Sequence, residues 1–290
     1  LVPIGRRHET GVVVELADAP PPEVETVRAG LVTLFGANAR IARVQLTRAD
    51  LREPIPTGFA KRLAGQPITG VRRRAKYLLI DTPRVTMLCH LGMTGTWREA
   101  PNGDERSHDH CYLHLADGRR LAFRDPRRFG LLGLIEPGGE ARHRALSGLG
   151  PEPLDQLSFT VEHLVTACRG RKGAIKPLIM DQRVVVGVGN IYAAEALFRA
   201  GIRPGRVAGR IPQAALANLV GAIRAILADA IAAGGSTISD FRQAGGGSGY
   251  FQHRFQVYDR AGQPCTSCAT RLRGAMLGGR STVWCPRCQR

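Results

Sequence analysis

Four cysteines near the end of the chain have the spacing of a metal site: Cys265-Thr-Ser-Cys268, sixteen intervening residues, then Cys285-Pro-Arg-Cys288. Two C-x2-C knuckles at that separation present four thiolates to one tetrahedral zinc ion, and with every position filled by protein the ion is structural. It staples a hairpin too small to fold on its own core. The remaining cysteines, Cys89, Cys111 and Cys168, fall in strand and helix patterns and are expected to stay free. Two other features have the chemistry of anion binding. Lys76 closes a basic run over residues 72–76, for which a solvated strand edge is the ordinary reading. Asn190 follows Gly187-Val-Gly189 at the start of a helical pattern, where a helix N-terminus binds anions or a side chain simply caps.

The elements that must position these groups follow from periodicity. Residues 1–18 read as an appendage without the sustained apolar core of a signal peptide. Pro22 and Glu23 open a helix whose apolar face is Val24, Val27, Leu31 and Leu34. Short strands follow at 77–80, 85–91, 111–115, 120–123 and 131–135, separated by Gly, Pro and Asp turns, a pattern of a β-sandwich or barrel. After Gly148-Leu-Gly-Pro-Glu-Pro153 the pattern turns helical at 159–168, 174–180, 191–200 and 212–233, the last with Leu216, Leu219, Ile223 and Leu227 on one stripe. Residues 245–249 read as a loop, and 255–258 as a strand entering the cysteine segment. The expected class is α+β, divided at 1–18, 19–150, 151–244 and 245–290.

Charge narrows the partner. Lys plus Arg number 41 against 24 Asp plus Glu, a net charge of +17, and most of the cations are Arg, which suits bidentate phosphate contact. No apolar run is expected to reach membrane-spanning length. A nucleic acid is the expected polyanion.

Ordered motifs then resemble one family. They are Pro22-Glu-Val-Glu-Thr-Val-Arg28, Arg73-Arg-Ala-Lys-Tyr-Leu-Leu79, His90-Leu-Gly-Met-Thr-Gly95, His108-Asp-His110, Asp125-Pro-Arg-Arg-Phe-Gly130, Gly148-Leu-Gly-Pro-Glu-Pro-Leu154, Gly187-Val-Gly-Asn-Ile-Tyr-Ala193 and the cysteine segment. Together they resemble the formamidopyrimidine-DNA glycosylase and endonuclease VIII family, and Gly234-Gly-Ser-Thr with Ser248-Gly-Tyr-Phe-Gln is similar to its formamidopyrimidine branch. The resemblance implies a β-sandwich, a helix–two-turns–helix domain and a zinc-finger hairpin. It implies excision of oxidised purines from duplex DNA, with β,δ-elimination at the abasic site. The implied partner is double-stranded DNA carrying oxidised purines or abasic sites, bound by a monomer in a bacterial-type cytoplasm.

By the same resemblance, Met93, Arg127 and Phe129 fill the hole left by a flipped base. An apolar wedge and an aromatic plane replace lost stacking, while a guanidinium can bond the orphaned partner base. Met93 taken alone reads as core filler; the Asp125–Gly130 motif on a neighbouring strand end favours the wedge. Lys76 is expected to contact the phosphate beside the lesion and assist elimination, with His108, Lys172, Lys176, Asn190 and Arg280 as further DNA contacts. Arg280 resembles the family's acid in the second elimination, or a phosphate clamp, since an Arg seldom gives up a proton.

One departure stands out. The family's terminal Pro, whose secondary amine attacks C1′, and its Glu acid lie three and two residues before the Pro of Pro-Glu-Val-Glu. Here those positions hold Ala19 and Pro20. An internal Pro nitrogen is an amide and no nucleophile. Three readings follow: a lesion binder that does not cleave, a Lys nucleophile with Glu23 or Glu25 as acid, or a different true N-terminus. A zinc-ribbon RNA-binding or transcription factor explains the charge and cysteines but not Met93, 125–130 and Asn190 together.

Overall fold

The computed structural model describes residues 22–233 and 255–290. Ala19, Pro20, the 234–237 and 248–252 motifs and the 245–249 loop lie outside the described residues.

Helix α1 (Pro22–Phe35) is followed by β1 (Ile41–Leu46), the short α2 (Phe59–Leu63), β2 (Gly70–Arg74), β3 (Tyr77–Asp81), β4 (Thr86–His90), β5 (Thr96–Glu99), β6 (Asp109–Leu115), β7 (Arg120–Arg124) and β8 (Leu131–Ile135). The strands form two antiparallel four-stranded sheets, ordered β1-β6-β7-β5 and β2-β3-β4-β8. Alternation decides which side chains meet between them. Leu78, Ile80, Met87 and Cys89 enter one core with Ile41, Leu113, Trp97 and Phe123 of the other sheet, closed by Val27 and Leu31 of α1. The opposite face of β3 and β4 is also apolar: Leu79 and Leu88 pack with Ile135 and Leu146 under the segment after β8. The sandwich is as expected. Strands β1, β2 and β5 and helix α2 are additions to it.

The helical half has its own core. It contains α3 (Val161–Cys168), α4 (Ile175–Met180), α5 (Asn190–Arg199) and α6 (Gln213–Ala232). Thr160 caps α3 by accepting from the His163 N–H at 3.2 Å. The α6 stripe Leu216, Leu219, Ile223 and Leu227 is buried against the other helices. At 20 residues and mean hydropathy 1.7, α6 is long and apolar enough to cross a membrane, which corrects the expectation that no run qualifies. Here that apolarity builds the helical core.

The last unit is a hairpin of β9 (Arg273–Leu277) and β10 (Arg280–Trp284). Its two-residue turn, Gly278-Gly279, has φ of 58° and 71°, and a turn with both central residues at positive φ favours Gly-Gly. Arg280 therefore stands at the tip. The strand expected at 255–258 is absent. The N–H groups of Gln256, Val257 and Tyr258 all donate to the buried carboxylate of Glu195 on α5, at 2.8–2.9 Å, and a backbone wrapped around one carboxylate cannot also extend into a ladder.

The two halves are pinned where the chain crosses between them. Buried Glu152 accepts from Arg73 at 2.8 and 3.1 Å, Arg74 at 3.0 Å and the Ala75 N–H at 2.7 Å. Next to it, Gly150 donates to the Gln182 carbonyl and Val186 to that of Pro151. Gln182 in turn accepts from Gly187 at 3.1 Å, on the turn leading into α5. A continuous set of bonds thus joins the β2–β3 turn carrying Lys76 to the approach to Asn190.

Candidate nucleic-acid interface and metal centre

Met93, Arg127 and Phe129, expected from the sequence to form a wedge, sit on two loops locked by one carboxylate. Asp125, with no exposed surface, accepts from the Thr94 hydroxyl at 2.6 Å and the Gly130 N–H at 2.7 Å. Thr94 also accepts from the Arg127 N–H at 3.3 Å. Gly92, at φ 63°, lets the loops touch, because a Cβ there would fall 2.5 Å from the Phe129 carbonyl carbon. On this base Met93 is 58% and Phe129 45% exposed, and the Arg127 guanidinium lies 4.8 Å from the Phe129 ring centroid. Large apolar groups on a rigid base rather than in a core are what an intercalating wedge requires. His108 is exposed beside them, at φ 72°, its carbonyl accepting from the Asp125 N–H at 3.0 Å.

Lys76 is exposed at the β2–β3 turn. The basic run before it is not a solvated edge: Arg72 pairs with Asp81 and Glu140, and Arg73 with Glu152 and, at 3.5 Å, Glu25 of α1. The opening turn of α1 is thereby held beside the Lys76 turn. Glu23 lies in α1, and the structure describes nothing of its side chain.

His90 carries no mark in its sequence beyond its motif, yet its ring joins these parts. It lies 4.9 Å from the Tyr77 ring, tilted by 54° to it, and its Nδ1 accepts from the Gly92 N–H at 2.9 Å, which leaves the proton on Nε2. Burial, then the charges of Lys76 and Arg52, push its pKa down to about 4. The unfolded value is about 6.5. A depressed folded pKa means that the loop's stability is complete above about pH 6.5 and is lost as pH falls towards 4. The protection factor of the Gly92 amide, its exchange rate corrected for the pH dependence of intrinsic exchange, is expected to fall across that interval and to stay flat above it. Constant protection down to pH 4 would refute this.

The second group forms where α5 meets the hairpin. Asn190 opens α5 after Gly189, and its Nδ2 donates to the Ser281 carbonyl at 3.2 Å, one residue from exposed Arg280. Lys172 is exposed on the α3–α4 loop. Lys176 is elsewhere than expected: at 1% exposure it is one of the most buried side chains, so it presents nothing to a phosphate. Its ammonium donates instead to the Ser281 carbonyl at 3.1 Å and the Thr282 hydroxyl at 2.8 Å, and burial holds its pKa down at about 8.

The sulfur atoms of Cys265, Cys268, Cys285 and Cys288 lie within 4.8 Å of one another, with pairs at 3.9 and 3.5 Å. Tetrahedral zinc with bonds of about 2.3 Å separates sulfurs by about 3.8 Å, so the cluster fits the ion. The Cys288 N–H donates to Cys285 Sγ at 3.3 Å. Cys89, Cys111 and Cys168 are buried elsewhere, and burial pushes the Cys89 thiol up to about 12 and Cys111 higher still.

Three family profiles match consecutive parts of the chain: the formamidopyrimidine-DNA glycosylase N-terminal domain over residues 21–132, its H2TH domain over 149–242, and the zinc finger found in FPG and IleRS over 262–290. The formamidopyrimidine-DNA glycosylase of Bdellovibrio bacteriovorus is 52% identical over 93% of this chain and 98% of its own length. The chain belongs to the formamidopyrimidine-DNA glycosylase family. The MutM (Fpg) protein of Thermus thermophilus superposes with a TM-score of 0.81 at 39% identity, covering 92% of this chain and 97% of that one. The Lactococcus lactis Fpg bound to DNA containing Fapy-dG gives 0.83 at 31% identity, covering 93% and 99%. Formamidopyrimidine-DNA glycosylases are DNA glycosylases with abasic-site lyase activity that act in base-excision repair, and the zinc is the structural ion of the finger. The relatives' names lend no support to a non-cleaving binder, and two glycosylase domain profiles ahead of the zinc finger displace the RNA-binding zinc-ribbon alternative.

Proposed function

We propose that this glycosylase excises oxidised purines from duplex DNA and nicks the resulting abasic site, acting as a monomer in the cytoplasm at the nucleoid. The observation that carries the reading is the rigid pair of loops that exposes Met93 and Phe129 with Arg127 over the ring. These three would enter the stack in place of the flipped base, and the free face of the guanidinium would bond the base left unpaired. Lys76, His108, Lys172, Asn190 and Arg280 are assigned to phosphates. The work divides among units 19–150, 151–244 and 245–290: wedge and Lys76 on the first, Lys172 and Asn190 on the second, Arg280 on the third.

Chemistry needs an amine at C1′. Its attack expels the base through N9, which leaves with a proton from a nearby acid, and the iminium then loses the 3′ and 5′ phosphates by successive eliminations. Family pattern assigns amine and acid to the positions of Ala19 and Pro20. Because Glu25 of the first α1 turn lies 3.5 Å from Arg73, an amine placed just before Pro22 starts out beside the Lys76 turn.

The test is borohydride trapping on duplex containing one oxidised guanine. A version with Pro-Glu-Leu directly before Pro22, the Pro terminal, is expected to form a covalent adduct and, without borohydride, to nick. Phe129→Ala in that version is expected to lower the preference for damaged over intact duplex while leaving the salt dependence of binding unchanged. Absence of both adduct and nick would overturn the assignment. Adduct formation by the unaltered 19–22 sequence would instead direct the search for the nucleophile to Lys76.

A further inference from the structure

Lys176 is a buried cation for which no salt-bridge carboxylate exists among the described residues, in a position where an apolar side chain would fill the space at lower cost. Both hydrogen bonds of its ammonium leave α4 for the hairpin. The Thr282 hydroxyl that receives the ammonium at 2.8 Å donates onward to the Arg280 carbonyl at 3.1 Å. The Ser281 carbonyl that receives it at 3.1 Å also receives Asn190 Nδ2 at 3.2 Å. One ammonium thus bears on the backbone of Arg280 by one route and on the Asn190 amide by the other. The neighbouring turn adds nothing in its place, since Gly278 and Gly279 bring no side chain and Pro177 of α4 meets it only by apolar contact.

We propose that Lys176 is a positioning residue of the DNA-binding site, fixing Ser281 and Thr282 from inside the helical domain so that Arg280 and Asn190 converge on the same phosphate. Its chemistry fits the task. An ammonium has three donors and no acceptor, so it can hold a carbonyl and a hydroxyl together and orient that hydroxyl towards the Arg280 carbonyl. The ion pairs elsewhere in the protein do not substitute for it, because among the described residues no ion pair joins α4 to the Arg280 tip and Pro177 offers the turn no hydrogen bond. The proposal rests on the phosphate reading of Arg280 and Asn190.

The experiment measures duplex affinity against salt for zinc-loaded full-length protein. Arg280→Ala is expected to flatten the slope of log affinity against log salt by about 0.9, one phosphate. Lys176→Met, which never touches DNA, is expected to flatten it equally and to weaken binding about tenfold at 0.1 M salt. Thr282→Val, which removes only the hydroxyl relay, should move the same way by less. The Arg280→Ala/Lys176→Met pair should lose no more than either alone, with one zinc retained throughout. A merely structural lysine would lower stability and leave the slope alone. Should Lys176→Met not fold, Thr282→Val alone and with Arg280→Ala decides. Unchanged slopes in the Lys176 and Thr282 variants beside a flattened Arg280→Ala, or losses that add, overturn the proposal. An unchanged slope in Arg280→Ala itself overturns the phosphate reading, and the proposal with it.

Discussion

Removing zinc, by chelation or in a Cys265→Ser/Cys285→Ser variant, is expected to unfold the last thirty residues and abolish tight DNA binding while both larger cores persist. The hairpin's own core is a handful of side chains, chiefly Val257, Leu272 and Val283 with Ala194 of α5. Against that, structural zinc in finger peptides contributes about 10–16 kcal/mol at pH 7. Arg280 sits on the strand that would lose its pairing, and a lost charge-assisted contact weakens binding by about 10- to 100-fold before any further disorder. Metal analysis should give one zinc in the native protein and none in the double variant. The variant should keep a cooperative melt from the sandwich and the helices. Full duplex affinity without metal would sink the expectation.

Replacing Glu152 with Ala is expected to destabilise the protein by about 3–5 kcal/mol, because it leaves a buried cation without its partner. The Arg73 side chain is 1% exposed and that of Glu152 4%, so water cannot substitute at either. The Ala75 N–H and the Arg74 guanidinium lose the same acceptor. Denaturant midpoints should fall sharply in Glu152→Ala. In the version with Pro-Glu-Leu before Pro22, at temperatures where the variant remains folded, nicking should fall too, because the turn beneath Lys76 has lost its anchor. An equal midpoint in variant and parent would mean that Glu25 alone satisfies Arg73.

What could be read in the sequence was what is local. The cysteine knuckles, the sandwich strands with alternating apolar residues and the α6 stripe depend on neighbours a few positions away, and each stands in the structure. What failed depended on distant partners. Three arginines in β2 look like a solvated edge until Glu152, 79 residues away in sequence, meets the middle one. Lys176 looks like any basic residue near a helix start until its acceptors arrive from 105 and 106 residues later. The same holds for residues 255–258, whose apolar and aromatic side chains favour a strand but whose amides are taken by Glu195. His90 escaped notice because only the folded loop decides which of its nitrogens accepts.

The finger is fastened at both ends to the same neighbourhood of the helical half. Glu195 holds its entry; at its exit, Gln289 donates to the Ile202 carbonyl at 2.9 Å and the Arg290 N–H to that of Gly201 at 3.0 Å. The register of the finger, and with it the place of Arg280, is therefore set by two anchorages on the helical half, like a strap buckled at each end.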